Sequence, residues 1–546
     1  MFYILLSSIL LLPSLWGLGT VFSGIFNLKT QGIAMKIILS IFGITLLFTM
    51  VAFFMPLNGV VEALTVSIGL GSFFWYKGFL RFWTFFSRQN LSFYFCCVFV
   101  LFFGSFYPFI LDHFGYYVPT IKWISEYGLV KGIANLDLLL GQMSGWHVFQ
   151  AGFSHFADPF LRINSVLLLV YLIWIYEKKS WIHLAFLPFL FLFSQSPNTD
   201  LPVMVFSLIL LQEMVERNRN VGFIFAFSVF VFLIKPTMMW LPLLSFFYAV
   251  FILKAHLKFI IPGILILMLF FFKNIWTFGF PIFPVQFADF GVSWKPNAQL
   301  LQNSADMALL KSYDLQYNIE QIRSFSIMER VKNWLLLPGI KGWINSFFVL
   351  SLMVFFGYTV QKRSRWVTLV FITLMIKSVL VLIFSAQYRF FTDVFFVIFF
   401  IICFDKISAN YSRLVFIGTS VLLAIAFSFP VVFKTVIPDF RAGGFMAGFY
   451  AEQLVYPSTY QWNKYQKYQI GNLKFNVVNG YQYSFDTPLP SISPGFLKED
   501  LDAGIFPQLK TQSLKDGFIW KKMDESEKTQ LQQLLEEYRQ SFPQNP

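Results

Sequence analysis

Long apolar stretches separated by short polar joints run through residues 1–434. About fourteen stand out, near 2–22, 36–55, 58–76, 91–111, 163–176, 181–196, 201–214, 221–235, 237–253, 259–273, 343–360, 366–385, 390–404 and 413–433. A membrane span needs roughly 20 apolar residues. The pattern therefore predicts an all-α polytopic membrane protein of about 14 transmembrane helices, with the shorter runs tilted, broken or partly spanning. The chain begins Met1-Phe2-Tyr3-Ile4-Leu5-Leu6 without a basic stretch, so it reads as a retained first span rather than a cleaved signal.

Three stretches are too long for simple turns. Residues 112–162 are rich in aromatic, acidic and glycine residues. Residues 275–341 open with Phe280-Pro281-Ile282-Phe283-Pro284 and continue as a partly amphipathic helical run around Leu309–Trp334. Residues 435–546 have ordinary soluble composition and predict a small C-terminal α+β segment beside the multi-pass domain 1–434. In that segment Asn479-Gly480, between Leu473–Val478 and Tyr481-Gln482-Tyr483, predicts a hairpin turn. Its last 25 residues read as a polar helix with Leu531, Leu534, Leu535 and Tyr538 on one face.

Composition agrees with lipid as the main solvent. The chain is 57% hydrophobic and 13% charged, about half the charge of a soluble domain. That excludes a soluble globular enzyme, a disordered chain and a disulfide-rich module. Cys96, Cys97 and Cys403 lie inside apolar runs and lack metal-ligand spacing.

The net charge of +13 adds sidedness. Residues 435–546 hold 11 basic and 12 acidic side chains, so the positive excess lies in 1–434. It gathers in seven alternate loops: Lys29 and Lys36; Lys77, Arg81 and Arg88; Lys178 and Lys179; Arg217 and Arg219; Lys254 and Lys258; Lys362, Arg363 and Arg365; Lys406 and Arg413. Cytoplasmic loops carry such an excess. The expected topology puts both termini and loops 112–162 and 275–341 on the extracytoplasmic side. No nucleic-acid groove is indicated.

Carboxylates near a bilayer are costly and often functional. Asp112 follows directly on a run, and Asp200 directly precedes one. At one mouth of a bundle they can converge, one as a general base, the other as an orienter or metal ligand. Capping of the helix that starts at Asp200 is the plainer alternative. Lys235, Lys273 and Arg389 sit at the same ends, where they can neutralise a phosphate or simply snorkel. Arg389 lies four residues before Asp393, a spacing that permits an ion pair. Lys377, inside a run, is either functional, as ionisable residues there often are, or simply paired with Asp393 on the next run. Tyr116, Tyr117, Trp123 and Trp146 suit either a sugar pocket or an interfacial aromatic belt.

Asp112-His113-Phe114-Gly115-Tyr116-Tyr117, then Ile121-Lys122-Trp123-Ile124, Glu126-Tyr127-Gly128 and Ser144-Gly145-Trp146-His147 resemble the first outer loop of the C-type (GT-C) membrane glycosyltransferases. That superfamily includes the protein O-mannosyltransferases and aminoarabinose transferases, and the likeness is to a bacterial branch. Asn198-Thr199-Asp200-Leu201-Pro202, Leu233-Ile234-Lys235-Pro236, Lys273-Asn274 with Gly279–Pro284, and Tyr388-Arg389-Phe390 resemble later stations of the superfamily. Tyr117 and Asp137 stand where histidines are expected, and Lys273 where arginine is.

The resemblance implies a GT-C-like bundle with outer-loop helices along the membrane of a bacterial cell. It implies transfer of a sugar from a polyprenyl-phosphate-linked donor to a hydroxyl of a glycan, lipid or protein. Asp112 is then the base, Asp200 an orienter or metal ligand, and Lys235, Lys273 and Arg389 the phosphate partners. Metal use is left open. A transporter or flippase, or a polymerase or ligase of lipid-linked glycans, is the alternative.

Overall fold

Every apolar run carries helix in the computed structural model of the chain, which describes all residues except 27, 29–31, 405, 432–434, 436–447, 461 and 542–546. Lys29, the end of the last apolar run and the expected boundary at residue 434 lie outside the described residues. Among the described residues, six helices are long and apolar enough to cross a bilayer: Phe2–Ile25, Ile33–Ala52, Leu257–Thr277, Ile340–Lys362, Arg365–Phe384 and Ala409–Ser428. Gly59–Trp75 and Gly78–Ser87 pass only as a pair, bent by 76°. Lys77, between them, takes a left-handed conformation with φ of 52°.

The expected count of about 14 spans, the shorter ones tilted, broken or partly spanning, is thus not confirmed by length among the described residues. Leu91–Gly104, Val221–Ile234 and Thr392–Cys403 are too short. Fourteen residues rise about 21 Å at ~1.5 Å each, against a hydrocarbon core of about 30 Å. Helices Ile163–Lys178 and Asp200–Val215 are buried along nearly their whole length. A helix apolar all round belongs inside a bundle, and these two lie against protein rather than lipid. By contrast, only 22% of the apolar stretch is buried in Ile340–Lys362 and in Ala409–Ser428. Those two form the thin, lipid-ready side.

Close backbone approach joins the first helices. A Cβ on Gly17 would lie 2.0 Å from the Gly69 carbonyl oxygen, and one on Gly69 would lie 2.5 Å from that of Ser14. Small residues at such crossings are how helices pack tightly in lipid. We expect Gly69→Val to force Phe2–Ile25 and Gly59–Trp75 apart and to cost about 1–3 kcal/mol. A lowered thermal midpoint of the detergent-solubilised protein checks this.

Two buried charges fasten the loops. The Glu62 carboxylate accepts from the backbone N–H groups of His155 (2.8 Å), Phe156 (3.2 Å) and Ala157 (2.6 Å). Arg162 donates to the carbonyls of Gly104 (2.8 Å), Phe160 (2.7 Å) and Ser458 (2.6 Å). Its fork of five donors suits a site made of carbonyls. One side chain thereby joins the bundle to the C-terminal segment.

That segment holds two antiparallel pairs, β1 (Tyr465–Ile470) with β2 (Leu473–Val478) and β3 (Ile505–Leu509) with β4 (Phe518–Lys522). The hairpin turn is Gly471-Asn472, with Ile470 opposite Leu473, and not Asn479-Gly480. Gly471 supplies the positive φ of 58°. β3 fixes the choice: the Asn472 N–H donates to Gln508 Oε1 (2.7 Å), and its side chain accepts from the Leu509 N–H (2.9 Å). The expected polar helix forms at Glu525–Gln540 and buries Leu531, Leu534 and Leu535.

The segment sits on loop 112–162. The Phe518 N–H donates to the Lys131 carbonyl (3.0 Å), and Lys122 Nζ donates to the Asp486 carbonyl (3.0 Å). Asp137 is buried at this contact, accepting from the Leu139 N–H (3.0 Å) and the Ser493 hydroxyl (3.4 Å). Burial pushes its carboxyl up to about 7, against the pull of those bonds. Burial, then Glu499 and Asp137, raises Asp500 as well. A raised carboxyl favours the folded contact only while protonated. The contact is therefore strongest below pH 4 and weakens as pH rises towards 7. Asp137→Asn should flatten that dependence, as read by hydrogen exchange of residues 494–503.

Candidate active site

Sequence-distant segments converge on one cavity of about 930 Å³. Three helices begin there: Asp200–Val215, Ile340–Lys362 and Thr392–Cys403. Helix Ala409–Ser428 ends there, through Leu423, Ala426 and Phe427. Helix starts carry partial positive charge, so three of them favour an anion at this mouth. The walls are apolar, with Phe189, Leu192, Met204 and Ile344 among them, while Asp112, Asp200, Lys311, Asp314, Lys341 and Arg389 supply the charge. An oily wall under a charged rim suits an amphiphile with an ionic head.

The sequence places the charged groups in simple ways. Asp112 follows the break after Leu91–Gly104 and precedes the π-helical turn His113–Tyr117. Asp200 is the first residue of its helix, and the Asn198 side chain accepts from its N–H (3.1 Å) and from that of Leu201 (3.1 Å). Lys235 ends Val221–Ile234 in an extended conformation before Pro236. Arg389 lies in the single turn Tyr388–Phe390.

Four of these groups form a chain of contacts. Arg389 Nη1 donates to Asp112 Oδ2 at 2.8 Å. Lys235 Nζ pairs with Asp200 Oδ1 and donates to the Arg389 carbonyl at 3.3 Å. The Phe390 ring lies 5.3 Å from Lys235 Nζ and 5.0 Å from the Arg389 guanidinium. Asp112 and Arg389 side chains are 30% and 42% exposed, Asp200 and Lys235 only 22% and 11%. The first pair is therefore the accessible one, and the second its support. Asp112 Oδ1 carries no hydrogen bond among the described residues.

The expected residues divide. Asp112, Tyr117, Asp200 and Arg389 line the cavity, and Lys235 joins them through Asp200. Burial, then Tyr116, Asp112 and Asp200, raises the Tyr117 hydroxyl above its ordinary value, so it stays a donor. Tyr116 packs edge-on against Tyr117 at 4.6 Å and does not line the cavity. Lys273 is held elsewhere, donating to the Met143 carbonyl at 2.6 Å. Trp146 is buried, with its N–H on Asn164 Oδ1 at 2.8 Å. Trp123 is buried against Phe518 at 5.8 Å. Lys273, Trp123 and Trp146 are fully enclosed side chains here, not cavity walls. Arg389 reaches Asp112, so Asp393 goes to Lys377 and accepts from Trp240 Nε1 at 2.9 Å.

Sequence reading missed Lys311, Lys341 and Asp314. Lys341 pairs with Asp314, while Lys311 lines the cavity with no ion pair among the described residues. Their one sequence signal is membership of the long 275–341 stretch. Among the described residues, no group of three or more His, Cys, Asp or Glu side chains is placed to hold a metal ion.

No curated protein and no solved structure matches this chain. One family model does, over residues 1–396, described as a domain of unknown function (DUF8201). That match spans most of the helical bundle, with Asp112, Asp200, Lys235 and Arg389 inside it, and the chain belongs to this family.

Proposed function

We propose that the protein is a membrane glycosyltransferase of GT-C type. It moves a sugar from a polyprenyl-phosphate-linked donor to a hydroxyl acceptor, a surface glycan, lipid or protein, on the extracytoplasmic face of a bacterial membrane. One observation carries the reading: the accessible Asp112–Arg389 pair, backed by Asp200–Lys235, at the rim of an apolar-walled cavity. The shorter helices then complete the bundle as tilted or partly spanning segments around that cavity.

In this reading the prenyl chain rests along Phe189, Leu192 and Met204. The acceptor oxygen attacks the anomeric carbon and forms the new glycosidic bond. The bond from that carbon to the phosphate oxygen breaks, and its electron pair leaves with the phosphate. The acceptor proton passes to Asp112 Oδ1, where a carboxylate within hydrogen-bond reach acts as general base. Charge grows on the leaving phosphate, and cations already in position stabilise it. Arg389 and Lys311, both in the cavity lining, are the candidates, with Lys235 holding Asp200 and the Arg389 backbone in place.

The deciding experiment uses the intact protein in liposomes with a lipid-linked sugar on the outer leaflet and a hydroxyl acceptor. Transfer releases free polyprenyl phosphate and a glycosylated acceptor. Movement of the intact donor between leaflets, with no glycosidic product, overturns the reading in favour of a flippase.

A further inference from the structure

Helix Ile327–Leu335 presents an apolar face that, Leu335 at its inner end apart, no described residue covers. It is a well-formed helix: the Ser326 hydroxyl accepts from the Glu329 N–H (3.3 Å), and the Glu329 carboxylate accepts from the Ser326 N–H (2.8 Å), a complete capping box. At 100° per residue Ile327, Val331, Leu335 and Met328 fall within one arc. Their polar neighbours Glu329, Arg330 and Asn333 fall on the other side. Ile327 is 84% exposed and Met328 77%. A nine-residue helix left with such a face in water would be a liability.

The surroundings identify what covers it. Trp334, at the edge of the arc, is buried and donates to the Ala386 carbonyl at 2.8 Å. It fixes the helix beside the spanning helix Ile340–Lys362, whose Asn345 donates to the Trp334 carbonyl at 2.9 Å. That span exposes Ile340, Trp343 and Phe347 at 63%, 79% and 64%. The open face of the short helix therefore continues into the open face of a candidate span. A bilayer covers the second, and the same bilayer reaches the first. Helices with a separated apolar and charged side lie in the headgroup region with the apolar side down. Lys332, exposed at the arc's margin, is placed to snorkel to the lipid phosphates.

We propose that helix Ile327–Leu335 is a membrane-interface helix, with Ile327, Met328 and Val331 inserted among lipid chains. Through Trp334, Ala386 and Asn345 it is attached to the wall of the 930 Å³ cavity, so lipid seating holds that rim. This stands independently of the reaction assigned to the cavity.

The test uses full-length protein in phosphatidylcholine–phosphatidylglycerol liposomes, on a background in which the three cysteines are serine. A bimane label goes on Met328→Cys, and for comparison on Glu320→Cys in the neighbouring helix Ile319–Ser324. At 328 we expect emission shifted to shorter wavelength, strong quenching by doxyl-lipid and weak quenching by iodide. At 320 we expect the reverse. Iodide quenching at 328 equal to that at 320 overturns the proposal. So does a shifted emission at 328 insensitive to doxyl-lipid, which would mean that protein, a second copy or another chain, covers the face.

Discussion

Lys377→Met should destabilise the bundle by about 3–5 kcal/mol, because it strands a buried carboxylate without its counter-charge. Lys377 is fully enclosed, and Asp393 is 7% exposed. Asp393 also holds Trp240, four residues after Pro236. The Lys377–Asp393 pair thus ties the segment carrying Arg389 to the one carrying Lys235. Losing it should loosen the rim as well as the core. The double variant Lys377→Met with Asp393→Asn removes both charges and should recover much of the loss. Thermal midpoints in detergent of the wild type, Lys377→Met, Asp393→Asn and the double variant measure the coupling. An unchanged midpoint in Lys377→Met would show that the pair carries no stability.

That pair was legible in the sequence, because two ionisable residues inside adjoining apolar runs have few other partners. The helices were legible for the same reason: unbroken apolar runs leave a chain little choice in lipid. Their status as spans was not. Hydropathy records that a helix avoids water but not whether lipid or other helices surround it. Ile163–Lys178 is as apolar as a span and proves to be interior.

The candidate site divides along a similar line. Asp112, Asp200, Lys235 and Arg389 each sit at the end of an apolar run, and run ends collect at a bundle's mouth. Lys273 also sits near such an end, yet its helix turns it towards Met143. Trp123 and Trp146 have the right composition for a pocket wall. Their rings are consumed in packing loop 112–162 against the C-terminal segment and the core. Lys311 and Lys341 were hidden because the long stretch 275–341 returns to the cavity by tertiary packing, which leaves no local signal. The hairpin misassignment has a like cause: both Gly471-Asn472 and Asn479-Gly480 permit positive φ, and Gln508 and Leu509 on a later strand select between them.

The second large effect belongs to Asp112. On the proposed reaction, Asp112→Asn lowers sugar transfer by about 10²–10⁴-fold, the usual contribution of a general base. Donor affinity should change little. Asparagine keeps an oxygen for Arg389 to donate to, and the phosphate partners are untouched. Asp200→Asn should act differently. It removes the counter-charge of Lys235, whose ammonium also holds the Arg389 carbonyl, so donor binding should weaken together with turnover. The two variants are compared by initial rates across donor concentrations in liposomes, with equal thermal midpoints as the folding control. Full turnover by Asp112→Asn, with loss confined to Asp200→Asn, would transfer the base role to the buried pair. That outcome would leave Asp112 as the residue that orients Arg389, because its 2.8 Å contact survives in either assignment.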